Sequence, residues 1–155
     1  MAGSKPVKDS DKPIILIVDD EMDMRIFMST LFETSGFHAV AVRDGRQGLE
    51  KAAALKPRLI ILDVMMPGEG GAKMYKALKA DPELCRIPVV MCSAVTRTSF
   101  DHYLKMLNAR LDVSVPDPDG YVEKPPDPDV LLDLARHVMV TPMLHKKDEE
   151  NLTDY

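Results

Sequence analysis

Two short apolar runs, Ile14-Ile15-Leu16-Ile17-Val18 and Leu59-Ile60-Ile61-Leu62, each stop abruptly at acid: Asp19-Asp20 after the first and Asp63 after the second. A run that is apolar on both alternating faces suits a strand buried on both sides, and such a strand needs cover above and below its sheet. Helical spacing takes over in between. Glu21 to Thr34 sets Met24, Phe27, Met28 and Leu31 three and four residues apart, one apolar stripe of a helix stopped by Gly36. Phe37 to Val42 returns to a strand-like pattern, and Asp44-Gly45 opens an Ala/Leu/Glu/Lys-rich helix to about Leu55, with Pro57 just beyond.

The rhythm continues to the end of the chain. A loop from Val64 to Gly71 leads into a helix from about Ala72 to Lys79, which Asp81-Pro82-Glu83 breaks. Ile87 to Cys92 predicts a further central strand ending at Ser93-Ala94, and a helix from about Ser99 to Ala109 turns Phe100, Tyr103, Leu104 and Leu107 to one side. Pro116 to Gly120 reads as a turn before Tyr121-Val122-Glu123, the last and shortest strand. Asp127-Pro128 predicts an N-cap followed by proline at the first helical position, with Val130, Leu131, Leu134 and Val138 inward. Residues 1–12 are expected to be a disordered lead-in, 13–140 the folded domain and 141–155 a polar tail that frays after Pro142.

Five alternations of strand and helix argue for an α/β fold, a parallel sheet with helices on both faces. Right-handed crossovers make a doubly wound sheet the natural closure, and in such sheets sites form beyond the C-terminal strand ends. Composition narrows the function further. A formal charge of -5 gives no electrostatic footprint for nucleic acid or anionic lipid, and the absence of Trp weighs against base stacking. No apolar run approaches the roughly 20 residues of a membrane span, and Met1 to Lys12 lacks the hydrophobic segment of a signal peptide. Cys85 and Cys92 have no metal-ligand spacing, which fits reduced thiols in the cytoplasm.

The strand ends carry Asp19 and Asp20, Asp63, Ser93 and Lys124. Singly, each has a bland explanation: a helix cap, a turn residue, a loop hydroxyl, a solvated charge. Together they do not, because carboxylates gathered in one crevice repel and are costly to hold without a cation. A hard divalent ion such as Mg2+ relieves that cost and leaves coordination positions for a phosphoryl oxygen. A carboxylate can then act as nucleophile toward phosphorus, with lysine and a hydroxyl holding the transferred group and small Ala94 leaving room for it.

The motifs I-L-I-V-D-D-E at 15 to 21, D-V-M-M-P-G-E-G-G at 63 to 71, I-P-V-V-M-C-S-A at 87 to 94 and Y-V-E-K-P at 121 to 125 together resemble the receiver domain of two-component response regulators, the CheY-like family, over roughly residues 13 to 140. The resemblance implies a five-stranded flavodoxin-like sheet of order 2-1-3-4-5 with five helices. It implies Asp63 as phosphoacceptor and Asp19 and Asp20 as the acidic pair for Mg2+, with Asp63 and the Met65 backbone carbonyl also on the metal. Ser93 and Lys124 would bind the phosphoryl group, and Tyr121 would be the aromatic switch. The Lys124-Pro125 bond would be cis, as X-Pro bonds can be. Implied partners are a histidine kinase or phosphotransfer protein and a downstream protein target read by the face of the fourth helix, fifth strand and fifth helix, with room for a weak homodimer. Such a protein is a phosphorylation switch that slowly dephosphorylates itself rather than a turnover enzyme.

One segment departs from the pattern. Ser93 and Lys124 stand farther apart than the family usually allows, and the excess lies in Arg110 to Asp119, either a surface loop or a modified partner-binding face. The polar stretch after about Val140 is expected to be too short to hold a further core or a DNA-binding module, with a piece cut from a longer regulator as the alternative. Competing readings are a phosphorylation-independent scaffold, a haloacid-dehalogenase-type phosphohydrolase and a flavodoxin-like electron carrier. The hydrolase lacks its second acid after Asp63, and the carrier lacks a phosphate loop after the first strand.

Overall fold

In the computed structural model, which describes residue 8 and residues 11–66, 70–111 and 114–152, strands and helices alternate throughout. The order is β1 (Ile14–Val18), α1 (Met22–Glu33), β2 (His38–Val42), α2 (Gly45–Leu55), β3 (Leu59–Leu62), α3 (Gly71–Ala80), β4 (Val89–Ser93), α4 (Arg97–Leu111), β5 (Gly120–Glu123) and α5 (Pro128–Leu152). All pairings are parallel and the sheet order is β2-β1-β3-β4-β5, the doubly wound flavodoxin-like arrangement expected. Most of the 1–12 lead-in and residues 67–69 and 112–113 lie outside the described residues.

The central strands bury both faces because alternate residues feed two cores. Leu16, Val18, Ile60, Leu62, Val89 and Met91 meet α2, α3 and α4 through Ala52, Met74, Tyr75, Leu78, Phe100 and Leu104. Ile15, Ile17, Leu59, Ile61, Val90 and Cys92 meet α1 and α5 through Met28, Phe32, Leu131, Ala135 and Val138. The helix starts follow the capping residues: Asp44 Oδ1 accepts from Gln47 N at 2.8 Å, and Asp127 Oδ1 accepts from Asp129 N at 2.9 Å.

Helix facing differs from the sequence reading in three places, one of them Tyr103 on α4, which is 45% exposed while Phe100 and Leu104 are buried. Phe27 is 36% exposed, and Phe32 takes the core position with Met28. The cause lies beyond the helix: Gly36 at φ +94 turns the chain so that Phe37 N donates to Phe32 O and the two rings meet edge-on at 5.9 Å. On α5 it is Val130 that points out, 55% exposed, while Leu131, Ala135 and Val138 form the buried stripe. That helix also runs on to Leu152, past Pro142, where the sequence reading has it fray. The Lys/Glu-rich composition beyond Pro142 is helix-forming, which favours continuation even though proline opposes it.

The long connection between α4 and β5 is tied down. The Asn108 side-chain amide donates to Val115 O at 3.0 Å and accepts from Val115 N at 2.8 Å, while Val115 itself is buried. The Tyr75 hydroxyl on α3 donates to Pro116 O at 2.6 Å, and Asp119 Oδ2 accepts from Val89 N at 2.9 Å. The described part of the segment is therefore a strap across the bases of α3 and α4. Tyr75→Phe is expected to cost about 1 kcal/mol in urea denaturation, the net worth of one buried hydrogen bond. Burial, reinforced by Asp119 and Asp117, pushes the Tyr75 hydroxyl above its usual range. A group whose pKa is raised on folding contributes stability below its unfolded pKa and loses it as pH rises through the folded value. Wild-type stability should accordingly fall as pH rises above about 10, with less of a fall in Tyr75→Phe.

Candidate functional site

Three ladder bonds align the C-terminal strand ends. Asp19 N donates to Val42 O at 3.1 Å, Asp63 N to Val18 O at 3.0 Å and Lys124 N to Ser93 O at 2.8 Å. Asp19, Asp63 and Ser93 are all buried there. Strand ends far apart in sequence thus deliver their side chains to one crevice.

The Lys124 ammonium stands at its centre, 2.8 Å from Asp19 Oδ2, 2.9 Å from Glu21 Oε1 and 3.0 Å from Asp63 Oδ2. Burial alone would discharge this lysine, but its bonds to Asp19, Glu21 and Asp63 outweigh that cost and hold its pKa above the usual lysine range. For Asp19 the balance is reversed: burial raises its carboxyl despite Lys124 and the Glu21 N–H on Oδ1. Asp63 Oδ1 accepts from Met65 N at 3.1 Å, and Arg25 donates to Asp19 O at 3.0 Å.

Carboxylate oxygens of Asp19, Asp20, Glu21 and Asp63 lie within 4.8 Å of one another. Asp19 Oδ2 is buried and is met by the Lys124 ammonium at 2.8 Å, with no further hydrogen-bond donor on it. An all-oxygen donor set with a buried, hydrogen-bond-poor carboxylate oxygen fits a hard divalent cation such as Mg2+.

Ser93 and Tyr121 sit beside this cluster. Ser93 Oγ accepts from Val95 N at 3.2 Å, and the Tyr121 hydroxyl donates to Val95 O. The Tyr121 ring packs on Phe100 with centroids 5.6 Å apart. Burial pushes its hydroxyl up to about 12, with Ser93 offsetting part of the rise. The N-terminus of α4 is held from the same side: Thr96 Oγ1 accepts from Ser99 N at 3.2 Å, and Glu123 Oε1 accepts from Arg97 N at 3.2 Å. The Lys124-Pro125 bond is cis, as the resemblance implied.

The structure thus gathers Asp19, Asp20, Asp63 and Lys124 into one cluster and places Ser93 and Tyr121 along its β4–α4 side. Sequence reasoning left Glu21 without a role. Its available signal was position, directly after Asp19-Asp20, but its partner Lys124 lies 103 residues away. Met65, whose carbonyl the resemblance puts on the metal, is 65% exposed at the rim of the crevice.

Comparison with known proteins agrees with this geometry. A family model described as the response regulator receiver domain matches residues 15–136. The hybrid signal transduction histidine kinase D of Dictyostelium discoideum is 37% identical over 84 residues, 54% of this chain but 5% of that protein. The chain thus spans a small part of that relative. The polar-differentiation response regulator DivK of Brucella anthropi is 30% identical over 105 residues, 68% of this chain and 85% of that one. The crystallised chemotaxis protein CheY4 of Vibrio cholerae superposes with a TM-score of 0.70 at 26% identity, covering 82% of this chain and 98% of that one. Receiver domains are signalling switches that take phosphoryl groups from histidine kinases or phosphotransfer proteins and bind Mg2+ in their acidic pocket. Among the described residues no helix is long and apolar enough to cross a membrane. With the sheet order, the acidic crevice and the family match in agreement, the chain belongs to the response regulator receiver family.

Proposed function

We propose that this chain is a phosphorylation-controlled switch that accepts a phosphoryl group on Asp63, with the receiver spanning residues 13–140. The observation that carries the reading is the Asp63 carboxylate, buried at a strand end, 3.0 Å from the Lys124 ammonium and inside a cation-ready acid cluster. Its oxygen attacks phosphorus in a phosphohistidine donor; the new O–P bond forms as the P–N bond breaks, and the departing imidazole takes up a proton. Asp19, Asp20, Asp63 and the Met65 carbonyl would hold Mg2+, which when bound neutralises charge on the transferred group. Lys124 takes the phosphoryl oxygens from one side and Ser93 Oγ donates from another, both from rigid strand ends.

The donor is a histidine kinase or phosphotransfer protein. Met22 and Ile26, one helical turn apart on α1, and Met65 beside the crevice are exposed apolar residues suited to such a contact. The response runs through Ser93: leaving Val95 N for the phosphoryl group, it loosens the segment that holds the Tyr121 hydroxyl, and the α4-β5-α5 face presented to a target changes. Amide spectra with and without beryllofluoride test this coupling. Shifts near Tyr121 in the wild type should be lost in Ser93→Ala; unchanged shifts in that variant would break the proposed link. Acetyl phosphate with Mg2+ tests the function itself, since one added phosphoryl mass is expected. No adduct would favour a scaffold, and steady phosphate release from many esters a hydrolase.

A further inference from the structure

Glu21 is the N-cap residue of α1, yet its side chain makes no capping hydrogen bond. Aspartate in that position accepts from the N–H groups of the first turn, whereas the longer glutamate is not among the residues that cap there and is left to find another partner. Here the carboxylate reaches across to Lys124 Nζ at 2.9 Å instead. Its backbone is fixed beside the crevice, with Glu21 N on Asp19 Oδ1 at 2.9 Å and Arg25 N on Glu21 O at 3.0 Å. The side chain is 58% exposed, whereas those of Asp19 and Asp63 are 1% and 4%. Of the three carboxylates that hold the ammonium, two are fixed in the crevice and one is free to let go.

We propose that Glu21 is a positioning residue that holds Lys124 in the resting state and competes with the phosphoryl group for it. The proposal rests on Asp63 being the acceptor. A group bound to Asp63 extends beyond the carboxylate, so Lys124 must give up part of its resting contacts to meet it. Asp19 remains within reach from below, while Glu21 draws the ammonium toward solvent. Removing this competitor leaves the bound group a larger share of Lys124. An exposed ion pair sets the scale, so the gain is about two- to fivefold in affinity.

The test is an equilibrium titration of the full chain with beryllofluoride at saturating Mg2+, read from amide and Lys124 side-chain NMR signals. Mg2+ affinity is measured separately for each variant so that saturation is assured. Glu21→Gln is expected to bind beryllofluoride about two- to fivefold more tightly and to shift the Lys124 side-chain signal before any ligand is added. Glu21→Asp keeps the charge but shortens the reach, so it should behave like Glu21→Gln. Wild-type affinity in Glu21→Gln, or an unmoved Lys124 signal, overturns the proposal. So does wild-type behaviour in Glu21→Asp, which would mean that net charge acts rather than contact. Each of those failures leaves the receiver function standing if the wild type binds beryllofluoride at Asp63. A wild type that binds none overturns both.

Discussion

Asp63→Asn is expected to gain no phosphoryl mass from acetyl phosphate and Mg2+ under conditions that add one to the wild type. The amide that replaces the carboxylate is not a competent nucleophile toward phosphorus, and the charge opposite Lys124 disappears with it. The fold should survive the change. Lys124 keeps Asp19 and Glu21, and the loss of one acid from a crowded cluster relieves repulsion, so stability should stay within about 1 kcal/mol of wild type. Intact-mass measurement and a urea melt on the same sample separate lost chemistry from lost folding. An equal adduct in the variant would move the acceptor away from Asp63.

Gly71→Ala should be far more damaging to the fold. A Cβ built at Gly71 falls 1.6 Å from Asp63 O and 2.7 Å from its carbonyl carbon, both backbone atoms at the end of β3. Neither can move aside like a flexible side chain, because Asp63 N is bonded to Val18 O. The helix must retreat or the strand end must give, at a cost on the order of 4 kcal/mol. Gly70→Ala is the control: its Cβ meets nothing closer than Met66 O at 3.5 Å, an ordinary contact. Urea midpoints near wild type for Gly70→Ala and far below it for Gly71→Ala are expected; similar midpoints would refute the close approach as the constraint. The starting glycine of α3 thereby sets how near that helix stands to the acceptor's own backbone.

The parts of this molecule that were readable in the sequence are those where burial leaves a local trace. Ile14–Val18 and Leu59–Leu62 are apolar at every position because both faces are covered, and the abrupt change to Asp19 and Asp63 marks where the sheet ends. The Asp44 and Asp127 caps are equally local. What escaped depends on partners far along the chain or on a turn outside the element. Phe32 rather than Phe27 is buried because Phe37 folds back over Gly36, which the stripe within the helix cannot encode. Likewise nothing near Asn108 or Tyr75 announces that their polar groups will meet the backbone of Val115 and Pro116. Glu21 reads as one more acid until β5 brings Lys124 beside it.

The strap gives α4 two unlike ends. At its C-terminal end Asn108 is stitched to Val115 through both amide groups, so the last turns cannot fray without breaking those bonds and exposing Val115. At its N-terminal end the cap comes from Thr96 and from Glu123, the residue next to Lys124. The N-terminal hold therefore depends on a residue whose chain neighbour belongs to the acid cluster, whereas the C-terminal hold does not. The extra chain also adds little entropy cost, since loop closure grows only by about 0.6 kcal/mol for each doubling of length. The connection in this way anchors one end of the helix independently of the site, while the other end is held through the neighbour of Lys124.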